Sequence, residues 1–462
     1  LHDLGYTILY AIEDIDEPVV INFADTIVMD PISGISGDAF FYQEDYMSET
    51  WTYFDVESGK VTHIYDKEAI NEEIKKKLFV GVFKIINTHD FRECLRNAVQ
   101  QKNKKMNSFY HALELYSQKH PMQAVLTNNW FDIGHEDKYY NSKLEVRARE
   151  FNHITIDKNR GILKKTSEIN GEIKWYLKLP ADVEYVRPRI FNYSTSYVDP
   201  YVSMEYYAYH TVHELFLYGD LTLQQWKDIF NRIRFVCDDF KRYTVRDANI
   251  RPALEEMYLT KTQQRFEKMK KDEHFVTFFE SPIVVNEERY LPLNEIIIAL
   301  EKAIPEMLYD VDSFNIIHGD LCFANIMVDS NFSFIKLIDP RGKFGTYDIY
   351  GDFRYELAKL FHSVDGKYDF IIKDLFDLDY NSETACINYR IQNRKRDFNL
   401  YKVFLDTFAA EVGGDLKKIE LIEALLFLSM IPLHGESIRH QMVMLGTGLE
   451  ILNRVIDIKE SV

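Results

Sequence analysis

Two apolar runs in the last third of the chain bracket a polar loop. Ile316 and Ile317 lead into "HGDLCFAN", and Ile326, Met327 and Val328 lead out of it. Runs this short and this apolar predict buried strands, and a polar loop pinned between buried strands is a common seat of chemistry. A further run, "FIKLID", follows across the turn "SNFS" and predicts the second strand of a hairpin.

Elsewhere the period changes by region. Residues 1–145 alternate short apolar stretches ("PVVINFAD", "KLFVGVFKII") with stretches of helical spacing ("HDFRECLRNAVQQK", "SFYHALELYSQK"), an α/β pattern. The opening residues predict a helix feeding a buried strand from Val19 to Phe23, and "DKYYNSKLEVRARE" predicts a closing helix. From 149 to 215 the pattern predicts a small β-rich lobe. "FNHITID" and "GILKKTS" form its hairpin, and "YVRPRIFNY" and "YVSMEYYAY" its further strands. "SEINGEIKWYLKLP" is its one helix, with Ser167 as N-cap and Pro180 past the end. Residues 210–315 are mainly helical. After 353 helical spacing runs to the end, with "ELIEALLFLSMIPLH" the most buried stretch.

A chain of 462 residues exceeds what one core organises, so two or three domains are expected. Hydrophobic residues at 46% and charged residues at 28% are ordinary for a globular protein, and 30 Tyr with 32 Phe predict bulky cores. The net charge of −18 argues against general binding to nucleic acid or to a membrane surface, while leaving room for a local basic pocket. Cys94, Cys237, Cys322 and Cys386 lack metal-like spacing, which fits a reducing, cytoplasmic compartment. No run reaches the roughly 18 apolar residues of a membrane span, and no signal peptide is evident. Nothing in the pattern bears on oligomeric state. The chain opens on Leu1, not Met, and in mid-pattern, so further residues ahead of Leu1 are expected.

His318, Gly319 and Asp320, with Asn325 five residues on, have a spacing with a mechanism. A carboxylate at the third position can orient or deprotonate an attacking hydroxyl, and the asparagine folds back to bind a metal. Asp339 in "KLIDPRG", on the far strand of the hairpin, is placed to chelate Mg2+ between phosphates. "HGDLCFAN" and "IDPRG" resemble the catalytic and metal loops of the aminoglycoside phosphotransferase and choline kinase superfamily, whose fold is protein-kinase-like. The resemblance covers 149–462. It implies a bilobal domain that uses Mg2+ and ATP, with an N-lobe over 148–212 and a mainly helical C-lobe over 213–462.

Such a lobe needs a strand lysine for the phosphates and a helix glutamate to hold it. "GILKKTS" offers Lys164 and Lys165 on opposite faces of a strand. "EINGEIKWY" offers Glu168 and Glu172, of which Glu172 is favoured by the resemblance. Met204, Glu205 and Tyr206 of "SMEYYAY" fall where a hinge strand would meet adenine. The sequence departs from protein kinases in having no G-x-G-x-x-G loop over the phosphates. Asp352 in "GDFRYELAKL" reads as a helix N-cap. Arg341 reads equally as a clamp for an acceptor's anionic group and as one half of a structural salt bridge. Acceptor contacts are expected from Tyr258, Lys261, Thr262 and Arg265, at helical spacing, and from His434 and Glu436, near a helix end; packing or surface roles would account for the same residues.

The first third holds a second constellation. Asp25 ends a strand in "INFADTIV", and Asp132 sits between an aromatic pair and the Gly134 turn in "NNWFDIGHEDKYY". Two carboxylates at strand ends can share a Mg2+ that neutralises a triphosphate. "WFDIGHEDKYY" resembles the late motif of sugar-phosphate nucleotidyltransferases, and "FADTIV" their mid-sheet metal motif. The resemblance implies a partial Rossmann-like domain over 1–147, the second half of such an enzyme, taking CTP or another NTP. The Gly-rich loop and basic residue that open those enzymes are not in this sequence. Lys60, Lys67 and Lys84 could serve a phosphate, although surface roles account for them as readily.

The combined expectation is an α/β domain followed by an α+β, kinase-like one. The second would phosphorylate a hydroxyl of a sugar, polyol or amino alcohol with ATP and Mg2+. The first would activate that monoester with a nucleotide for a cell-surface glycan such as capsule or lipopolysaccharide. An aminoglycoside-modifying kinase is an alternative that leaves the first third without purpose. A non-catalytic pseudokinase scaffold is another, opposed by the intact His318, Asp320, Asn325 and Asp339.

Overall fold

The computed structural model describes residues 3–32, 34–46, 51–67, 75–101, 106–134, 154–157, 159–166, 170–196 and 198–460. The chain divides into two compact units, Leu1–Asn152 and His153–Val462. The helix expected over 137–150, the cap Ser167 and Glu168 lie outside the described residues.

The first unit is built on β1 (Val19–Asn22), β2 (Thr26–Val28), β3 (Ala39–Tyr46), β4 (Thr52–Glu57), β5 (Lys60–Asp66), β6 (Lys75–Ile85), β7 (Gln123–Leu126) and β8 (Trp130–Asp132). Its main sheet runs β5-β4-β6-β3-β7, with β1 also paired to β6, while β2 and β8 form a separate ladder. Only β3 and β7 pair in parallel; the other pairs of the sheet are antiparallel. The expected Rossmann-like alternation therefore gives way to a mixed, mainly antiparallel sheet. The difference lies in "AFFYQEDY", "TYFDVE" and "KVTHIYD", strands whose polar members cut the apolar runs short.

Three helices, α1 (Leu4–Ala11), α2 (Thr88–Gln101) and α3 (Ser108–Lys119), cover one face of this sheet. The two-residue period of β6 sends Phe79 and Phe83 to that face, where they meet Phe91 and Phe109 of the helices. Val80 and Val82 point the other way, with Phe41. Gly81 between them has φ +85, and a Cβ there would lie 3.0 Å from Phe23 and from Thr26. The Phe23 N–H donates to Gly81 O at 2.9 Å, which fixes the start of the loop carrying Asp25. The strand expected as buried from Val19 to Phe23 ends at Asn22 and is only half-buried.

The second unit opens with β9 (Ile154–Asp157), β10 (Ile162–Thr166), β11 (Ile190–Ser194) and β12 (Tyr201–Glu205), an antiparallel sheet in the order β11-β12-β10-β9. Helix α4 (Asn170–Lys178) packs with it, burying Ile173, Trp175 and Tyr176. The rest is mainly helical. The elements that matter for the site are α5 (Leu223–Lys241), α6 (Lys261–Met269), α7 (Phe353–Val364), α8 (Leu416–Met430) and α9 (Ile438–Asn453). Helix α5 starts at a capping box made by Thr222 and Gln225. Helix α8, the most apolar stretch of the sequence, is buried continuously from Ile419 to Ser429.

Strands β13 (Ile326–Val328) and β14 (Ile335–Leu337) form the expected hairpin, with Ile326 opposite Leu337 and Val328 opposite Ile335. The chain after 353 is not wholly helical. A second hairpin, β15 (Phe376–Asn381) with β16 (Cys386–Ile391), interrupts it, again from strands that alternate exposed and covered residues. All four cysteines are free thiols, and among the described residues no helix is long and apolar enough to cross a membrane.

Candidate active site

The loop between Ile317 and Ile326 in the second unit is held from beneath by buried groups. Glu356, on α7, accepts the backbone N–H of His318 at 2.6 Å and that of Gly319 at 2.8 Å. Its burial drives its carboxyl up to about 8, despite these two donors, so it holds the loop in its neutral form near neutrality. Trp175 of α4 donates its indole N–H to Ile317 O at 2.7 Å and lies edge-on to the His318 ring. His318 is fully buried, and desolvation pushes its pKa down to about 4 despite the nearby Asp320 and Asp339 carboxylates and the backbone of Ile338 and Asp320. His318 is therefore a neutral packing residue under the loop.

Asp320 projects from that loop. Its Oδ1 accepts from the Lys359 ammonium of α7 at 2.8 Å. The Asn325 amide nitrogen donates to Asp320 O at 2.9 Å and to its Oδ2 at 3.0 Å. Desolvation opposes ionisation of Asp320, but Lys359 outweighs it and holds the pKa at about 2. The carboxylate is thus ionised and oriented at any ordinary pH. Because Asn325 spends its NH2 on Asp320, its amide oxygen is turned away from that residue.

Asp339 follows β14 at φ +55, a left-handed backbone that a non-glycine residue holds at some cost. Next in the loop, the Arg341 N–H donates to His318 O at 3.0 Å, so this loop doubles back onto the one that carries Asp320. Two glycines make that approach possible. At Gly319 (φ +77) a Cβ would stand 2.9 Å from Arg341 Cβ, and at Gly342 (φ +59) it would stand 1.9 Å from Gly171 O, at the start of α4.

The register of β10 against β12 decides between the two candidate lysines. Lys165 lies opposite Val202, and its ammonium donates to Glu172 Oε2 at 2.8 Å and to Asp339 Oδ1 at 2.5 Å. Lys164 is on the other face, over the Tyr201 ring at 4.3 Å. Burial opposes the charge of Lys165, yet Asp339 and Glu172 together raise its pKa. Burial raises that of Glu172, whose Oε1 accepts from Tyr176 at 3.1 Å.

The three candidate hinge residues divide between the two faces of β12 and its end. Met204 is on the Lys165 face and buried in the core. Glu205 is on the Lys164 face, and its carboxylate accepts from the Tyr207 hydroxyl at 2.7 Å. The N–H groups of Glu205 and Tyr206 are spent on Arg189 O and Gly161 O, both at 2.8 Å, so neither is a donor for a base.

A cavity of about 500 Å3 opens beside Asp320 and Asn325. Three of the acceptor candidates, Lys261, Arg341 and His434, line it, and so do Tyr355, Lys359 and His362, which the sequence reading passed over. Arg341 donates to the Tyr355 hydroxyl at 2.5 Å. Burial alone would raise the Tyr355 pKa, but Arg341, Lys261 and Lys359 pull it down to about 8. Tyr258 does not reach the cavity: it is buried and donates to Asp352 Oδ2 at 2.9 Å. Thr262 is buried in the helix packing, and Arg265 is not part of the lining. Glu436 turns to His434, whose Nδ1 it meets at 3.0 Å. Asp352 caps α7 as expected, accepting from the Arg354 N–H at 3.0 Å.

In the first unit, Thr26 pairs with Asp132 across β2 and β8, and the Ile133 N–H donates to Asp25 O at 2.8 Å. Asp132 Oδ1 accepts from the Gly134 N–H at 2.9 Å. A Cβ on Gly134 would lie 3.2 Å from Asp132 Oδ1 and 3.3 Å from Asp25 Oδ2, so the two carboxylates converge on one point. Asp25 also lines a cavity of about 530 Å3, shared with Lys67 and Tyr110; Asp132 is not in that lining. Lys84 donates to Ile35 O at 2.5 Å, and Lys60 is exposed on β5; neither lines that cavity.

No family model matches the chain, and no curated protein does. Solved structures do. The CTP:phosphocholine cytidylyltransferase of Streptococcus pneumoniae is 13% identical over 30% of this chain and 62% of its own, with a TM-score of 0.24. An aminoglycoside-3'-phosphotransferase of type VIII is 12% identical over 69% of this chain and 100% of its own, at 0.33. The choline kinase of Cryptosporidium parvum is 11% identical over 64% of this chain and 80% of its own, at 0.31. Both resemblances read from the sequence are thus met among solved structures, at a distance that assigns no residue. The chain spans less than two thirds of the length of the nucleotidyltransferases it matches, 64% and 62%.

Proposed function

We propose that residues 148–462 transfer the terminal phosphoryl group of ATP to a hydroxyl of a small molecule. The observation that carries this reading is the Lys165 ammonium, held by both Glu172 and Asp339. It draws a sheet strand, a helix and the loop after β14 to one point, next to a loop bearing an ionised carboxylate. Phosphoryl transfer asks a protein mainly for positioning and charge, and these residues supply both.

Asn325 and Asp339 fit a hard cation by their donor chemistry: an amide oxygen turned away from Asp320 and a half-exposed carboxylate. Bound there, Mg2+ would neutralise phosphate charge. Lys165 would exchange Asp339 for the nucleotide's phosphates, with Glu172 keeping it in place. Asp320 accepts a hydrogen bond from the acceptor hydroxyl and aims its oxygen at the phosphorus. The new O–P bond forms as the bond to the leaving ADP oxygen breaks. A carboxylate held at about 2 takes the hydroxyl proton late, once the acceptor oxygen has become acidic through bonding to phosphorus.

The converging Asp25 and Asp132 support nucleotidyl transfer in the first unit, with CTP or another NTP as donor. The monoester made at one site would then be the substrate of the other, a sequence suited to activating building blocks for a surface glycan. The test is phosphate transfer from terminally labelled ATP to a panel of sugars, polyols, hydroxy acids and amino alcohols, with Asp320→Asn as blank. Label that appears equally with the blank overturns the reading.

A further inference from the structure

We propose that the acceptor bound in the cavity of the second unit carries an oxyanion, a phosphate or a carboxylate, beside its reacting hydroxyl. This names the substrate class of the phosphotransfer reading above and rests on it.

The lining holds three basic side chains, Lys261, Arg341 and Lys359, against one carboxylate, Asp320. In a chain whose net charge is −18, such a local excess is selective. Lys359 is spent on Asp320, and Arg341 gives one nitrogen to Tyr355. The Lys261 ammonium makes no ion pair or hydrogen bond among the described residues. Tyr355 favours its charge, but burial and the neighbouring Arg341, Lys359 and Arg265 outweigh that and lower its pKa. The ammonium is short of an anion.

The backbone points the same way. Lys261 begins α6 directly after a π-helical turn, Glu255–Thr260, an irregularity that often re-aims a side chain at a functional site. Leu426, Met430 and Leu433 add an apolar stretch to the lining, which holds no acidic side chain besides Asp320. A choline-like or aminoglycoside cation would meet three like charges. A neutral sugar would leave Lys261 unpaired. An oxyanion satisfies Lys261 and the remaining guanidinium nitrogens of Arg341 together.

The test uses the full chain with Mg2+ and a non-hydrolysable ATP analogue, so that the nucleotide site is filled first. Inorganic phosphate, acetate, glycerol and choline are then titrated by calorimetry. Phosphate or acetate should bind, and Lys261→Glu should weaken that binding roughly 10- to 100-fold, the range of one charge-assisted hydrogen bond. Lys261→Gln repeats the test should the first variant fail to fold. Bound phosphate should also move the Tyr355 phenolate titration to higher pH, which a merely structural Lys261 would not do. In turnover, glycerol phosphate and a hydroxy acid should surpass glycerol and choline, and Lys261→Gln should raise KM more than it lowers kcat. The relative response to phosphate and acetate tells the two oxyanion sources apart. Binding of choline in place of the anions, or anion binding indifferent to Lys261, overturns the proposal. Anion binding without any binding of the ATP analogue overturns the phosphotransfer reading and leaves the anion site standing.

Discussion

The acidic groups of the two units are held in opposite ways. In the second unit each carboxylate of the site faces an ammonium of the same chain: Asp320 faces Lys359, and Asp339 faces Lys165. In the first unit Asp25 and Asp132 both stand beside Gly134. Carboxylates paired with built-in cations are oriented and ready for a neutral partner such as a hydroxyl. Two carboxylates beside one turn offer hard oxygen ligands to a divalent cation. The contrast fits one site that aims an acceptor and another that gathers a metal-bound triphosphate.

The sharpest break of this comparison is a pair of substitutions. Asp320→Asn keeps the shape of the loop but removes the charge that orients the hydroxyl. It should lower kcat for phosphate transfer by roughly 100- to 10,000-fold, the usual range for a positioned acid–base group, with ATP affinity nearly unchanged. Asp25→Ala should leave kcat for phosphate transfer as it was. Steady-state assays with labelled ATP read both. Loss of phosphate transfer in the Asp25 variant would mean that the two sites depend on each other.

Next in size is the cost of removing a cation. Lys165→Met strands Glu172, which is only 6% exposed, and should destabilise the chain by about 3 kcal/mol, the low end for a broken buried pair, because Glu172 can take a proton. Asp339, half-exposed, adds little to this. The counterpart in the first unit, Lys67→Met, changes an exposed side chain at the cavity rim and should stay within about 0.5 kcal/mol. Chemical denaturation gives both values. Equal costs would remove the distinction between the two sites.

What could be read from the sequence, and what could not, follows from the range of the forces involved. Asp320, Asn325 and Asp339 were legible because one loop and one hairpin bring them together, and the spacing records that. The choice of Lys165 over Lys164 depends on the register of β10 against β12, which is set some forty residues away. Lys359 was missed because its partner Asp320 lies on another element. The signal was nevertheless present: Glu356 and Lys359 stand three apart in "RYELAKLFHS", a helix buried on every side from Arg354 to Val364. Charges there need partners inside the fold. The first unit's hairpins were hidden by their exposed faces, and the apparent β-α alternation followed from counting only the apolar strands.

Glu356 yields a smaller, pH-dependent difference between the units. Its carboxyl titrates at about 8 in the folded chain against an ordinary value of 4.5. Above 4.5 the unfolded chain ionises this group while the folded chain still holds the proton. Its contribution to stability is therefore complete below 4.5 and is lost as pH rises through about 8. Thermal melts followed by circular dichroism should show the transition of the second unit falling across that window. Glu356→Gln should flatten the dependence while lowering stability by about 1–3 kcal/mol, because its NH2 would face a backbone N–H. A wild-type melt indifferent to pH over the window would show that the loop is not held by a neutral acid.

The smallest effect tests where the site of the second unit ends. Helical spacing groups Tyr258 with Lys261, but the fold separates them: Lys261 lines the cavity, while Tyr258 is buried with its hydroxyl on the Asp352 cap. Asp352 also accepts from the Arg354 backbone and guanidinium, so it retains partners when Tyr258 is shortened. Tyr258→Phe should therefore cost about 1 kcal/mol, the net value of one hydrogen bond, and leave KM for the acceptor unchanged. Lys261→Gln should do the reverse, moving KM with little change in denaturation midpoint. If Tyr258→Phe raised KM instead, the acceptor would extend beneath α6 toward the start of α7, and the cationic cavity would be only part of its site.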